Sequence, residues 1–134
     1  MVLLEIVTPD GKFYKENVAM VIVRGVEGDL ALMHGTAPIV TPLAIGALKI
    51  KREDGTWEAG TVNGGYVSGL PEKVTVVTEA FEWAKEIDLS RAEAAKERAE
   101  RRLQEAERTE DIDVERARIA LSRALNRMRI GNEH

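Results

Sequence analysis

Cysteine is absent from the 134 residues, which excludes disulfides and thiolate chemistry and fits a reducing compartment. Histidine is scarce: His34 and His134 stand far apart with no cysteine to join them, so no zinc site is expected. His34, in ALMHGTAP, reads as a loop residue. No apolar run approaches the ~20 residues that span a bilayer. The start MVLLEIVTPDG has neither a basic opening nor a small-residue cleavage site and reads as a strand. No G-x-x-x-x-G-K-[ST] phosphate loop and no G-x-S-x-G elbow occurs, which argues against Walker-type nucleotide hydrolysis and serine-hydrolase chemistry. Gly64-Gly65 is too short to cradle a phosphate. Excess positive charge is also missing: the formal net charge is -4, which argues against a general nucleic-acid binder.

What is present divides into two periods. Up to about Glu79, short apolar runs (VLLEIV, NVAMVIVRGV, GDLALM, AIGALKIK, TWEAGTV, YVSGL, KVTVV) are separated by Gly, Pro, Asn or Asp. That spacing predicts an all-β sandwich or flattened barrel. Gly55 after Asp54 predicts a hairpin between LKIKRE and TWEAGTV. Gly64-Gly65 predicts a sharp reversal or bulge.

After Ala80, glycine vanishes until Gly131 and proline does not return. Alanine, arginine and glutamate take over, favouring helix. Ala92, Ala95, Ala99, Leu103 and Ala106 recur at one helix face, as do Ala117, Leu121, Ala124, Leu125 and Met128. The expected fold class is therefore α+β: a sandwich over 1–84, a short linker around Glu82–Glu86, and an antiparallel two-helix hairpin over 85–134. An alanine seam buries little area, so the helices are expected to be weakly held together.

Both helices open on Ile-Asp-x-x-Arg-Ala, at Ile87 and Ile112. Asp88 and Asp113 can each cap the following helix; for Asp88 a ligand contact is an equally open reading. Arg91, Arg98 and Arg102 share one face within roughly 40° of arc, and Arg116, Arg123 and Arg127 repeat the spacing. Folding back about Thr109 would put Arg91 level with Arg127, Arg98 with Arg123, and Arg102 with Arg116. A solvated face with one-turn ion pairs explains Arg101, which has Glu97 and Glu105 at i-4 and i+4. It fails for Arg98, Arg123 and Arg127, which have no acid three or four residues away. Arginine is the side chain best shaped for phosphate, so an external anion is the sharper reading. The end from Arg116 onward carries five arginines against Glu133 alone, and could also meet an acidic partner.

At this point the chain resembles the epsilon subunits of bacterial F-type ATP synthases, over nearly its whole length. The residues that carry the resemblance are VTPDG, EGDLALMHGTAPIVTPLAIGALKI, NGGYVSGLPEKVTVVTEA and DIDVERARIALSRALNRM. It is closest to the Bacillus-type, ATP-binding members, whose first helix opens I-D-x-x-R-A. The resemblance implies a non-catalytic regulatory subunit of the central stalk, peripheral on the cytoplasmic face of the cell membrane, with no membrane insertion and no nucleic-acid partner. Its sandwich would dock on the gamma subunit and the c-ring. Its hairpin would inhibit ATP hydrolysis when extended toward the alpha and beta subunits and permit turnover when folded, with ATP favouring the folded form.

Carried over by position, Glu82, Ile87, Asp88 and Ala92 would surround the base and ribose, and Arg91, Arg98, Arg123 and Arg127 the phosphates. ATP would be a regulatory ligand, with or without Mg2+. Partner contacts would use Asp29, His34, Thr36 and Pro38 toward the ring, within Asp29 and the loop 34–42, and Arg116, Arg123 and Arg127 toward the head. The family often reads G-H-A-P where this chain has Gly35-Thr36-Ala37-Pro38, so a role for that histidine has no bearer here. The competing expectation is a purely structural coupling subunit whose arginines touch only protein. An independent β-sandwich enzyme has no catalytic constellation behind it.

Overall fold

The computed structural model describes residues 1–11, 13–106 and 113–132. The chain divides into two compact units, Met1–Trp83 and Ala84–His134.

The first unit is built from β1 (Val2–Val7), β2 (Phe13–Val18), β3 (Met20–Gly25), β4 (Gly28–Leu32), β5 (Ile39–Lys51), β6 (Trp57–Asn63), β7 (Tyr66–Gly69), β8 (Lys73–Val77) and β9 (Phe81–Trp83). β5 is long enough to serve two layers. Its first residues, Ile39–Pro42, pair with β7 in a layer ordered β2-β1-β8-β7-β5. From Leu43 on it pairs with β3, and from Ile45 with β6, in a second layer ordered β4-β3-β5-β6-β9. Among the described residues every pairing is antiparallel except β1 with β8. Among the described residues β2 pairs only with β1 and β4 only with β3, so the structure is an open sandwich and not a closed barrel.

Alternation puts one side of each strand inward, as on Leu4 and Ile6 of β1, Val21 and Val23 of β3, and Leu48 and Ile50 of β5. Each such side chain contributes roughly 1.5–3 kcal/mol of burial. The Asp54-Gly55 hairpin forms as expected, with Gly55 at φ +87° and Lys51 opposite Trp57. Asp54 Oδ1 accepts from Thr56 N–H at 3.0 Å and Oγ1–H at 2.7 Å, which holds its carboxyl below the usual range. Gly64 and Gly65 both take positive φ between β6 and β7, and a Cβ on Gly65 would overlap the Val77 carbonyl.

The segment expected to be a linker is mostly structured. Phe81 and Trp83 alternate inward, extending the second layer by one strand. Trp83 meets Tyr14 edge-on at 5.1 Å and Phe81 at 4.8 Å between ring centroids. A 3-10 turn, Ala84–Glu86, follows.

In the second unit, α1 spans Leu89–Ala106 and α2 spans Val114–Asn132, and they pack on each other. The acid-rich stretch RTEDI and the expected pivot Thr109 lie outside the described residues, as does His134. Asp88 Oδ1 accepts the N–H of Arg91 at 3.2 Å, and Asp113 Oδ1 that of Arg116 at 3.1 Å. Both aspartates are therefore N-caps, on the third residue of each helix. α1 buries Ala92 and Ala99, and α2 buries Ala117 and Ala124. At about 0.8 kcal/mol per buried methyl-sized group, those alanines hold the pair with far less than the sandwich core supplies. Leu125, expected on the same face, is 46% exposed. It follows Ala124 by one residue, roughly 100° around the helix, and so misses the seam.

Candidate functional site: two arginine stripes on one flank of the hairpin

The register of the hairpin is set at its open end. A Cβ built on Gly131 would stand 2.8 Å from Leu89 Cδ2, so the end of α2 lies on the start of α1 and the helices run antiparallel. Counting inward from that contact at equal rise, Arg91 is level with Arg129 and Arg98 with Ser122. The expected levels, Arg91 by Arg127 and Arg98 by Arg123, agree to within one turn.

Level does not decide side; the buried alanines do. Arg91 immediately precedes Ala92, Arg98 precedes Ala99, Arg116 precedes Ala117, and Arg123 precedes Ala124. Each arginine is thus turned about 100° from the seam in the same rotational sense. In a parallel pair, equal senses would send the stripes to opposite flanks. In an antiparallel pair a twofold axis normal to the helices relates them, and equal senses put both stripes on one flank. Arg91, Arg98, Arg102, Arg116, Arg123 and Arg127 therefore line one side of the hairpin. Arg123 and Arg127 are half-buried and the other four exposed.

Local ion pairing does not absorb the charge of the four exposed arginines. Among the described residues, no hydrogen bond or ion pair reaches the guanidinium of Arg91, Arg98, Arg102 or Arg116. Lys96 pairs with Glu100 at 3.7 Å on a different face. Arg101, expected to pair with Glu97 and Glu105, donates from Nε to the Glu97 carbonyl at 3.5 Å. Like charges one turn apart repel. A polyanion would convert that repulsion into charge-assisted hydrogen bonds.

The remaining expected nucleotide contacts fall at two places. Ile87, Asp88 and Ala92 stand at the start of α1 with Arg91; Ile87 N–H donates to the Ala84 carbonyl at 3.3 Å, closing the 3-10 turn. Glu82 is on β9, opposite Thr61, in the first unit.

Of the expected partner contacts, His34, Thr36 and Pro38 occupy one exposed or half-exposed loop between β4 and β5. Thr36 Oγ1 accepts from Met33 N–H at 2.9 Å and donates to its carbonyl at 2.7 Å; Gly35 N–H donates to the Pro71 carbonyl at 2.9 Å. Asp29 lies at the other end of β4, about 13 Å along the strand from Met33, and pairs with Arg24 at 3.1 Å. The loop reaches that end only through β5, where Val26 N–H meets the Pro42 carbonyl at 3.3 Å.

Three features escaped the sequence reading. Across the outer face of the first layer, Phe13, Val7, Val77, Tyr66 and Pro42 stand in register on adjacent strands, with Phe13 61% and Tyr66 47% exposed. Arg52 joins Glu16 at 3.1 Å and also Glu58, while Tyr14 donates to Glu16. Burial and Glu16 push the Tyr14 hydroxyl up to about 12. Asn126 is buried in α2, its Oδ1 accepting from Arg129 Nη2 at 2.9 Å. The row and the Arg52–Glu16 pair depend on strand register and on contacts distant in sequence, whereas the Asn126–Arg129 bond, one turn apart, was local and was missed.

An open β-sandwich joined to a two-helix hairpin with a cationic flank is a recognisable class of two-domain chain, and both parts match known families. Residues 1–84 match the ATP synthase delta/epsilon chain β-sandwich domain, and residues 85–131 its long α-helix domain. An ATP synthase epsilon chain of Halalkalibacterium halodurans is 46% identical over 125 residues, covering 93% of this chain and 92% of the relative. One from Caldicellulosiruptor bescii is 41% identical over 131 residues, covering 98% and 93%. A chain in the cryo-EM structure of Euglena gracilis mitochondrial ATP synthase shares the fold, with TM-score 0.81 at 24% identity over 99% of this chain and 81% of that one. The chain belongs to the ATP synthase delta/epsilon chain family, on its epsilon branch.

Proposed function

We propose that this chain is the central-stalk epsilon subunit of an F-type ATP synthase, and that its hairpin is an ATP-sensing regulator of the enzyme's hydrolytic direction. The single observation that carries the regulatory part is the convergence of two arginine stripes on one flank of an antiparallel pair. Arg91, Arg98, Arg123 and Arg127 would hold the triphosphate, with Ile87, Asp88, Ala92 and Glu82 toward the base and ribose. The site forms only while the hairpin is closed, because opening it separates the stripes. ATP therefore favours the closed form, and by RT ln(1 + [L]/Kd) it supplies about 2.7 kcal/mol at a hundredfold excess over Kd. Against a seam of alanines that is a decisive shift. With the hairpin open, Arg116, Arg123 and Arg127 are available to acidic surfaces of the alpha and beta subunits, which is the inhibitory state. The subunit itself does no chemistry.

Docking on the gamma subunit and c-ring is assigned to the sandwich. The row Phe13–Val7–Val77–Tyr66–Pro42, exposed at Phe13, Tyr66 and Pro42 and half-buried at the two valines, supports an apolar partner surface, and the loop carrying His34, Thr36 and Pro38 supports a second contact at one edge.

Titration calorimetry with ATP on the purified subunit tests the reading, together with the distance between probes on residues 90 and 129. ATP should bind, raise the melting temperature and bring the probes together. Arg98→Ala should weaken all three effects and Arg101→Ala should change them little. Equal losses in the two variants would mean diffuse charge attraction instead of a formed site. No binding at all would favour the purely structural coupling role.

A further inference from the structure

Three pairs of arginines, not two, stand on the cationic flank. With Gly131 on Leu89 and equal rise along both helices, Arg127, Arg123 and Arg116 come level with Glu93, Glu97 and Gln104 of α1. The same register sets Ala106, the last residue of α1, level with Val114, the first of α2, so it holds at both ends of the hairpin. Arg127 thus stands beside Arg91, Arg123 beside Arg98, and Arg116 beside Arg102, each within about 3 Å along the axis. The midpoints of the three pairs are evenly spaced, about 8 Å apart. The sides agree as well. Arg102 precedes the half-buried Leu103 as Arg98 precedes the buried Ala99, and Arg116 precedes the buried Ala117.

A triphosphate whose nucleoside lies at the Ile87–Asp88 end uses the first two pairs. The third pair, Arg102 with Arg116, lies beyond its last phosphate, toward the turn. Among the described residues neither guanidinium of that pair has a hydrogen bond or an ion pair, and both side chains are exposed. The carboxylate nearest in sequence to Arg116, that of Asp113, is engaged on the helix N-terminus at 3.1 Å. Two like charges facing each other across the seam cost stability unless an anion joins them. We propose that Arg102 and Arg116 form a further anion subsite, which turns the flank into a ladder for linear polyphosphate chains longer than a triphosphate. The proposal rests on the nucleotide reading above for the direction in which the ligand lies. The class of ligand follows from the even spacing. A polyphosphate repeats one anionic group along its length, so it can meet successive guanidinium forks, and each fork suits its oxygens bidentately. Such a chain exists as a nucleoside oligophosphate or as free inorganic polyphosphate, and the third pair meets the same chemistry in both.

The test is calorimetry on the full-length chain at constant ionic strength without divalent cations, with circular dichroism as the check on folding. It compares ATP with adenosine pentaphosphate, and inorganic tripolyphosphate with linear hexaphosphate. Each longer chain should bind about tenfold tighter than its shorter counterpart, the effect of one more pair of charge-assisted hydrogen bonds. Arg102→Ala should cut that preference to about twofold or less, and Arg116→Ala should do so independently. Arg101→Ala removes the same charge one residue away, about 100° off the flank, and should leave the preference intact. The preference is a ratio, so a change in how readily the hairpin closes acts on both chain lengths and cancels. A preference confined to the nucleotides assigns the subsite to nucleoside oligophosphates, and one confined to the inorganic chains assigns it to free polyphosphate. Equal losses at Arg101 and Arg102, or no preference for either longer chain in wild type, overturn the proposal and leave the nucleotide site standing if ATP binds. A wild type that binds hexaphosphate through Arg102 and Arg116 but neither nucleotide overturns the nucleotide reading and keeps the subsite. Binding of none of the four ligands overturns both.

Discussion

Asp88 and Asp113 occupy equivalent places in two helices, and the proposed function assigns a second duty to only one of them. Each carboxylate accepts one first-turn N–H, at 3.2 and 3.1 Å, and each is exposed. Replacing either by alanine should therefore cost about the same, about 1 kcal/mol. For a chain of 134 residues that corresponds to a melting temperature lower by about 4 °C. Asp88→Ser keeps an oxygen that can cap, so without ligand it should melt within about 1–2 °C of wild type. ATP separates the two duties. If Asp88 also contacts the nucleotide, Asp88→Ser should lose about tenfold in affinity, one charge-assisted hydrogen bond's worth. At an ATP concentration a hundredfold above the wild-type Kd, the stabilisation falls from about 2.7 to about 1.4 kcal/mol, so the ATP-induced shift shrinks by about 5 °C. Asp113→Ala should keep the full shift from its lower baseline. Differential scanning fluorimetry with and without ATP reads all of this. An Asp88→Ser chain with an undiminished ATP shift would reduce Asp88 to a cap and refute its place in the site.

Three further outcomes follow from the sandwich. Gly65→Ala puts a methyl group into the Val77 carbonyl at φ +94° and should destabilise by about 3 kcal/mol or more, whereas Gly55→Ala, at φ +87° but with open space around it, should cost only about 1 kcal/mol; urea midpoints distinguish them. Tyr14 binds its proton more tightly folded, at about 12 against an ordinary 10.0. Its contribution is thus complete below pH 10.0 and lost as the pH rises through about 12, because only the unfolded chain ionises in between. Tyr14→Phe should flatten the fall in melting temperature across that window, and an unchanged slope would remove Tyr14 as its source. Finally, a fragment ending at Glu86 should keep the β-type circular dichroism of the sandwich, since the unit Met1–Trp83 contains the whole cluster of buried Val, Leu and Ile side chains together with Phe81 and Trp83; a disordered spectrum would contradict it.

The sequence by itself determined whatever depends on neighbours along the chain. Period-two alternation marked the strands, alanine at helical spacing marked α1 and α2, Asp54-Gly55 and Gly64-Gly65 marked reversals, and the two Asp residues marked helix starts. Each is a matter of local backbone preference or of a hydrogen bond three residues away, so distant contacts are not needed to read it. It also showed arginines that no acid one turn away could neutralise.

Tertiary structure decided the rest. Two arginine stripes of equal spacing converge only if the helices are antiparallel, and that sense follows from Gly131 lying on Leu89, a contact between opposite ends of the hairpin. β5 serves two layers because its two halves find different partners, which its own pattern does not encode. Leu125 falls outside the seam because the seam is only as wide as an alanine face. The row Phe13–Val7–Val77–Tyr66–Pro42 exists only in the register of five strands drawn from across the sandwich. Local preference is written residue by residue, whereas register and sidedness come from which surfaces meet.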